Sequence, residues 1–374
     1  MKKAKDLIVL YPSFERGGAT VNLINFVNIC AKKKIKIHLV SNIQSNDKKK
    51  FFKRNIRFIN FNDKINNKVF KRLLTSIYSI FSLLRLFKKI NSNNSLVVSF
   101  QSHILPIMFC RLFGRKIVIR NSEDIIDATK YADYKSTAFF VFLLKTLFYN
   151  FSNGIITNSK KAKKSLDSIT INNKSKLIYN PYLKEIFNDK KRIRKNLILS
   201  VGRLCKQKNQ IITIKAFAHF LKKFPKYKLI LIGHGHDNLK LKKISANLNI
   251  SKNIIFKGWV TNPKKYYIKS KILIFPSLYE GLPNTLIDAV NFNLPCISTR
   301  CSGATDILSK KYGTYIPRYN HELLAEKMVD SILNYKKILL NTKKIKKNLS
   351  RFLIEPQVSK YLSYCNSILN SSSK

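Results

Sequence analysis

Residues 272–289 read Ile272-Leu273-Ile274-Phe275-Pro276-Ser277-Leu278-Tyr279-Glu280-Gly281-Leu282-Pro283-Asn284-Thr285-Leu286-Ile287-Asp288-Ala289. The first four are a short apolar run, suited to a strand buried on both faces. Pro276, Gly281 and Pro283 break that run into a loop, and a helical pattern follows over Thr285 to Asn291. A buried strand that feeds a loop and then a helix is part of a parallel α/β sheet. Open sheets of that kind bind ligands at the C-terminal ends of their strands, and Glu280 falls there, just before a helix N-terminus.

Outward from this stretch the pattern repeats. Asn196 to Val201, Lys228 to Ile232, Asn253 to Phe256 and Cys296 to Ser298 are strand-like runs at α/β spacing, with a helical pattern over Ile211 to Lys223. Three more loops fall at strand ends: Ser200-Val201-Gly202-Arg203-Leu204 followed by Lys206-Gln207-Lys208-Asn209, then Ile232-Gly233-His234-Gly235, then Gly258-Trp259-Val260. The first half of the chain has its own series. Leu7 to Tyr11 is a strand, Gly17-Gly18 a loop, Ala19 to Lys32 a helix and Ile35 to Val40 the next strand. Leu96 to Phe100, Lys116 to Ile119, Gly154 to Thr157 and Lys176 to Tyr179 continue it. The fold class is therefore α/β, with two Rossmann-like doubly wound domains at 1–183 and 184–355 and a polar linker at 184–194. Glu322 to Leu340 and Pro356 to Leu369 read as helical, and 356–374 is a C-terminal helix free to pack back on the first domain.

The 374 residues carry 71 Lys and Arg against 19 Asp and Glu, a formal net charge of +52. A patch of that sign is the footprint of nucleic-acid binding. Here, however, the cations are scattered through every segment beside abundant Asn, Ile, Phe and Tyr, as an AT-rich coding sequence gives. No helix-turn-helix, zinc-finger or RRM pattern accompanies them. The charge still attracts anionic ligands and anionic membrane surfaces. The six cysteines form no CxxC pair and read as reduced, buried thiols of a cytoplasmic protein. No stretch reaches the ~20 apolar residues of a spanning helix.

The strand-end loops resemble those of glycosyltransferase family 4, whose members have the GT-B fold. In that family a strand ends in Val-Gly-Arg with a Lys five residues later, as in Val201-Gly202-Arg203 and Lys208. Pro-Ser-x-x-Glu-Gly follows, matched by Pro276 to Gly281. A second acid comes eight residues after the first; it is usually Glu and here is Asp288. Gly-Asp-Gly is often found where this chain has Gly233-His234-Gly235. The Gly17-Gly18 loop and Tyr179-Asn180-Pro181 extend the likeness over the whole chain.

The resemblance implies a retaining transfer of a hexose or N-acetylhexosamine from a nucleotide-diphosphate sugar, with UDP expected, across a cleft between the domains. Neither a cofactor nor a metal is expected, and no Asp-x-Asp pair exists to cradle a cation. Arg203 and Lys208 would meet the charge that develops on the leaving phosphate. Glu280 would accept hydrogen bonds from sugar hydroxyls. His103, in the loop after Leu96 to Phe100, would line the sugar and acceptor site, although a lone His is as often structural. Gly17, Gly18, Gly202, Gly233, Gly258, Trp259, Val260, Leu282, Asn284, Thr285 and Asp288 would contact the donor, Asp288 through its ribose. Pro283 suits the first turn of the helix whose amides face the phosphates. Arg120-Asn121-Ser122-Glu123 resembles an acceptor-side loop, in which Glu123 is either a base or an exposed loop residue.

The expected acceptor is a growing bacterial surface glycan or a polyprenyl-diphosphate-linked one, at the inner face of the cytoplasmic membrane. Lys71 to Ile90, an apolar helix with cationic ends, reads either as an interfacial helix or as a buried one, and so does the Phe-rich stretch Phe139 to Phe148. The contrasting expectation is a catalytically impaired GT-B-fold protein that serves as a basic membrane- or nucleic-acid-binding module.

Overall fold

Short apolar runs become strands here because every strand is paired in parallel and so must be covered on both faces. The computed structural model describes residues 6–15, 17–43, 49, 51–53, 55–61, 71–171, 175–188 and 193–371. Part of the linker read at 184–194 lies outside these residues. The chain divides into two units. One comprises 1–125, 136–184 and 352–374; the other comprises 126–135 and 185–351. The segment 126–135, read from sequence as part of the first domain, thus groups with the second.

The first unit begins with β1 (Asp6–Leu10), α1 (Gly18–Lys32), β2 (Lys36–Val40) and β3 (Ile56–Ile59). Next come α2 (Lys71–Lys89), β4 (Ser95–Ser99), α3 (Ile104–Leu112) and β5 (Ile117–Asn121). Beyond α4 (Ile125–Lys130), which groups with the second unit from Ile126 on, the series closes with α5 (Lys135–Phe148), β6 (Gly154–Thr157), α6 (Lys160–Asp167) and β7 (Ser175–Leu177). The seven strands lie in the order β3-β2-β1-β4-β5-β6-β7. The order turns back between β1 and β4, which makes their C-terminal ends the switch point of this sheet.

The second unit contains β8 (Leu197–Val201), α7 (Gln210–Lys223), β9 (Lys228–Ile232), α8 (Asn238–Asn247) and β10 (Ile254–Phe256). It continues with α9 (Lys264–Lys269), β11 (Ile272–Phe275), α10 (Asn284–Asn291), β12 (Cys296–Thr299), α11 (Ala304–Leu308) and β13 (Thr314–Ile316). The region read as one helix over 322–340 is two, α12 (His321–Leu333) and α13 (Tyr335–Lys346). The sheet order is β10-β9-β8-β11-β12-β13, so the switch point falls between β8 and β11.

The final helix, α14 (Ile354–Asn370), is part of the first unit. Val358, Tyr361, Leu362, Cys365 and Leu369 share one core with Leu23, Phe26, Val27 and Cys30 of α1. Arg120, only 1% exposed, ties the helix to the sheet. Its Nε donates to the Tyr361 hydroxyl at 3.1 Å, its Nη2 to Asn180 Oδ1 at 2.6 Å, and its plane lies 5.2 Å from the Phe100 ring centroid. At the far end the Lys116 ammonium donates to the carbonyls of Ile368 and Leu369 at 3.1 and 3.0 Å. Those carbonyls are the orphan acceptors of a helix C-terminus, where a cation is also favoured by the helix dipole.

The other sheet face carries α2, α3 and α5. Ile80, Leu83, Leu86 and Phe87 of α2 are buried there with Ile107 and Cys110 of α3. The apolar centre of α2 is therefore core, while its large apolar side chains Ile77, Tyr78 and Phe81 are exposed. The Phe-rich stretch is the opposite case, since α5 contains no buried residue.

Tyr361→Ala is expected to lower the stability of the first unit by about 3–5 kcal/mol, as deletion of a buried aromatic does. Urea unfolding followed by fluorescence measures it. Tyr361→Phe keeps the ring and loses only the hydroxyl that accepts from Arg120, and should cost about 1–3 kcal/mol.

Candidate active site

Four loops of the second unit are stitched together by backbone hydrogen bonds at the C-terminal edge of its sheet. Gly202 N donates to Ile232 O at 2.9 Å, Gly233 N to Gly258 O at 2.8 Å, Leu204 N to His234 O at 3.1 Å and Leu278 N to Gln207 O at 2.8 Å. Two glycines permit this closeness. Gly233 has φ +145°, and a Cβ there would sit 1.8 Å from Gly202 O. Gly303 has φ +75°, and its Cβ would sit 2.1 Å from Gly281 O, in the loop after β11. No side chain fits at either position without moving backbone.

On this frame Lys208 and Glu280 form an ion pair, with side chains only 16% and 11% exposed. Lys208 sits on the one-turn 3₁₀ segment Lys206–Lys208 after β8, and Glu280 on the loop after β11. They therefore flank the switch point. The Lys208 ammonium also lies 5.3 Å from the Phe275 ring centroid, a cation–π contact. Arg203 is exposed, and its Nη2 donates to Gln207 Oε1 at 2.9 Å. Gln207 Nε2 in turn donates to Tyr279 O at 3.0 Å. Gln207 thus ties Arg203 to the backbone of Tyr279, the residue before Glu280.

A further tier holds the loops. Asn209, left-handed at φ +52°, precedes α7 and donates through Nδ2 to Arg318 O at 2.7 Å. Arg318 Nε donates to Leu278 O at 2.7 Å, and Nη2 pairs with Asp127 Oδ2 at 2.8 Å. The guanidinium lies 4.7 Å from the Tyr131 ring centroid. Gln207, Asn209 and Arg318 received no role in the sequence reading. Gln207 and Asn209 stood inside a quoted segment, whereas nothing local marks Arg318, whose partner Asp127 is 191 positions away. Beneath the pair, burial and then the Glu280 carboxylate push the Cys301 thiol up to about 12, which keeps it protonated.

The remaining expected contacts are distributed as follows. Pro283 is the N-cap of α10, with ψ +105°, so the helix starts at Asn284 and Pro283 is not in its first turn. Leu282 is buried. The Thr285 hydroxyl bonds the buried Tyr267 phenol, and the nearby Asp288 carboxylate adds to the burial that drives that phenol well above its usual pKa. Asp288 itself is half-buried, Trp259 is 48% exposed, Val260 is half-buried and His234 is exposed. Gly202 faces the aliphatic stem of Lys208.

Gly17, Gly18 and His103 belong to the first unit. Gly17 has φ 162°, extended backbone that any residue adopts, and a Cβ there would meet no other atom of the protein, so the fold itself does not require glycine at this position. Gly18 opens α1. The loops after β1 and β4 meet at that unit's switch point, where Ser13 N donates to Gln101 Oε1 at 3.1 Å. His103 is the N-cap of α3. Its ring bonds Ser99 Oγ through Nδ1 at 2.9 Å and also the Arg120 backbone. Burial, then the charges of Lys145 and Arg120, lower its pKa to about 3. Glu123 pairs with Lys145 at 2.6 Å.

The two sheets, wound 3-2-1-4-5-6-7 and, counted within the second, 3-2-1-4-5-6, define the class: two parallel α/β units of the kind found in GT-B glycosyltransferases. Over 97% of this chain and 100% of that one, the fold matches Anabaena HepE in complex with UDP and glucose, with a TM-score of 0.78 at 15% identity. It matches sucrose-phosphate synthase from Thermosynechococcus elongatus with a TM-score of 0.83 at 13% identity, over 98% and 100%. Residues 183–349 match the family model of glycosyl transferases group 1, and the curated relatives are glycosyltransferases. One is an uncharacterized glycosyltransferase of Methanocaldococcus jannaschii, 30% identical over 276 residues, 67% of this chain and 66% of that protein. Another is the Campylobacter jejuni GalNAc-alpha-(1->4)-GalNAc-alpha-(1->3)-diNAcBac-PP-undecaprenol alpha-1,4-N-acetyl-D-galactosaminyltransferase. It is 32% identical over 176 residues, 45% of this chain and 48% of that protein. The chain thus spans just under two thirds of the first relative's length and about half of the second's.

A His with a pKa of about 3 folded and about 6.5 unfolded stays neutral while the unfolded chain takes up a proton. Its contribution is present above pH 6.5 and is lost as pH falls toward 3, by at most about 1.4 kcal/mol per pH unit. His103→Asn is expected to flatten the acid side of the melting-temperature profile between pH 6.5 and 4. An equally steep profile in the variant would mean that His103 titrates normally.

Proposed function

We propose that this chain is a retaining, metal-independent glycosyltransferase. Its donor is a UDP-linked hexose or N-acetylhexosamine. Its acceptor is a bacterial surface glycan or a glycan on polyprenyl diphosphate. The observation that carries this reading is the Lys208–Glu280 pair at the β8/β11 switch point, with Arg203 held in the same loop by Gln207, which also bonds the Tyr279 carbonyl. When the bond between the anomeric carbon and the leaving phosphate oxygen breaks, negative charge gathers on the diphosphate. Arg203 and Lys208 are the cations placed to stabilise it, and the amides at the start of α10 add the positive end of a helix dipole.

Glu280 has a second role here. It holds the Lys208 ammonium in place before the reaction, so less reorganisation is needed as charge develops. A carboxylate has about four lone-pair positions. Glu280 therefore keeps acceptor capacity for sugar hydroxyls while it binds Lys208. Asp288 lies one turn into α10, where it would accept from the ribose hydroxyls. His103, neutral over the physiological range, would act as a hydrogen-bonding group of the acceptor side and not as a titrating base. The UDP of HepE and the lipid-linked glycan in the name of the Campylobacter relative support the donor and acceptor classes.

Arg203→Ala and Lys208→Ala are each expected to lower turnover by at least about 100-fold without loss of fold, the scale for removing a fixed transition-state donor. Release of UDP from a panel of UDP- and GDP-sugars, with thermal shift as the binding readout, measures this. Wild-type rates in either variant would remove the assignment. Absence of both ligand stabilisation and turnover, together with salt-dependent DNA binding, would favour the impaired binding module.

Activity should also persist in excess chelator. Complete loss, restored by Mn²⁺ or Mg²⁺, would show that a metal and not this pair of cations neutralises the diphosphate.

A further inference from the structure

Helix α5 is 14 residues long and buries none of them. Phe139, Phe140, Leu143 and Leu147 are 56%, 61%, 48% and 57% exposed. At 100° per residue these four fall within about a 100° arc, so they form one continuous apolar strip. Two neighbouring helices on the same sheet face add to it. The C-terminal end of α3 exposes Met108, Leu112 and Phe113, the last packed 6.0 Å from Phe87 of α2. The outer strip of α2 begins with Ile77, Tyr78 and Phe81 and continues, at i+4 spacing, into exposed Arg85 and Lys88.

An apolar face of this extent on a monomer marks an interaction surface. Its charge selects the partner. The sequences of α2, α3 and α5 contain eight Lys and Arg and no Asp or Glu. Arg85, Lys88 and Lys89 of α2 and Arg111 of α3 are exposed on these helices. A protein partner would have to bury these cations or supply matching acids. An anionic lipid surface accepts both groups at once, with aromatic rings at the acyl boundary and cations among the headgroups. At ~1.5 Å per residue α5 is ~21 Å long, short of the ~30 Å hydrocarbon core. Among the described residues no helix is long and apolar enough to cross a membrane. The helix would therefore lie in the interface.

The structure assigns this face of the first unit, centred on the Phe139–Phe140–Leu143–Leu147 strip and flanked by Arg85, Lys88, Lys89 and Arg111, as a docking surface for anionic bilayers. It goes beyond sugar transfer, because a chain without catalytic activity would dock in the same way.

Co-sedimentation of the full chain with phosphatidylcholine vesicles, with and without phosphatidylglycerol, tests it. Wild type should bind the anionic vesicles and release them in high salt. Phe139→Ser/Phe140→Ser should weaken binding at least about tenfold with an unchanged melting temperature, because both rings are exposed. Arg85→Gln/Lys88→Gln/Lys89→Gln/Arg111→Gln should remove the preference for anionic over neutral vesicles, and it gives an independent reading if the first variant folds poorly. Wild-type-like vesicle binding by both variants overturns the assignment, as does failure of the wild type to bind. A dimer in light scattering that the Phe variant turns into monomer, with no vesicle binding, would make the face a contact between copies and overturn it as well. UDP-sugar turnover in the same variants, assayed with a soluble acceptor, should stay at wild-type level, so the outcome is separable from the catalytic reading.

Discussion

Parallel pairing is the constraint from which the rest follows. A parallel strand cannot be joined to its neighbour by a tight turn, so each connection crosses over the sheet through a helix and returns to the same edge. All C-terminal strand ends then point one way, and the loops that leave them crowd together. In the second sheet the crowding is extreme. The loops after β8 and β9 touch backbone to backbone, and Gly233 is the residue that lets them. The chemistry is then placed by backbone hydrogen bonds between loops, which are far less adjustable than side-chain rotamers.

The pair placed on this frame has opposing energetics. Drawing Lys208 and Glu280 out of water costs several kcal/mol per ion, and their attraction offsets this only with good geometry and added partners. Phe275 supplies one such partner beneath the ammonium. Such a pair contributes little net stability. Its consequence is a cation whose position is fixed in a partly dehydrated setting, where electrostatic interactions are stronger than in bulk water. Arg203 differs. It is exposed, and its guanidinium is held by a neutral partner, Gln207, rather than by an opposite charge.

The strands of the interior were legible because they are uninterrupted apolar runs. Two strands toward the sheet edges were not. Ile56-Arg57-Phe58-Ile59 carries a charge, and Thr314-Tyr315-Ile316 is three residues long; both need the neighbouring strand to define them. The break at Asn334 between α12 and α13 was hidden because the apolar spacing continues across it. In the candidate site, the positions of Arg203, Lys208 and Glu280 were readable because each lies in a loop that leaves the C-terminal end of an apolar strand, β8 or β11. Arg318 was not, because its work consists of contacts to Leu278, Asn209 and Asp127, distant in sequence.

The same limit decides between α2 and α5, which look alike as sequence. Both are apolar, rich in aromatics and flanked by cations, and composition cannot tell a core helix from a surface one. Position in the crossover series does. α2 is seated on the sheet through Ile80, Leu83, Leu86 and Phe87, and α5 is left with its aromatic strip outward. Only Phe142 of α5 packs on that core, from a half-buried position. An exposed strip of that kind is a liability for solubility unless something covers it or enough charge surrounds it. The excess of Lys and Arg supplies that charge: it keeps molecules apart in solution and, beside the aromatic residues, favours an anionic surface over a second copy of the same cationic chain. A composition that looks like background from the gene thus acquires a physical consequence once the fold decides which apolar residues it borders.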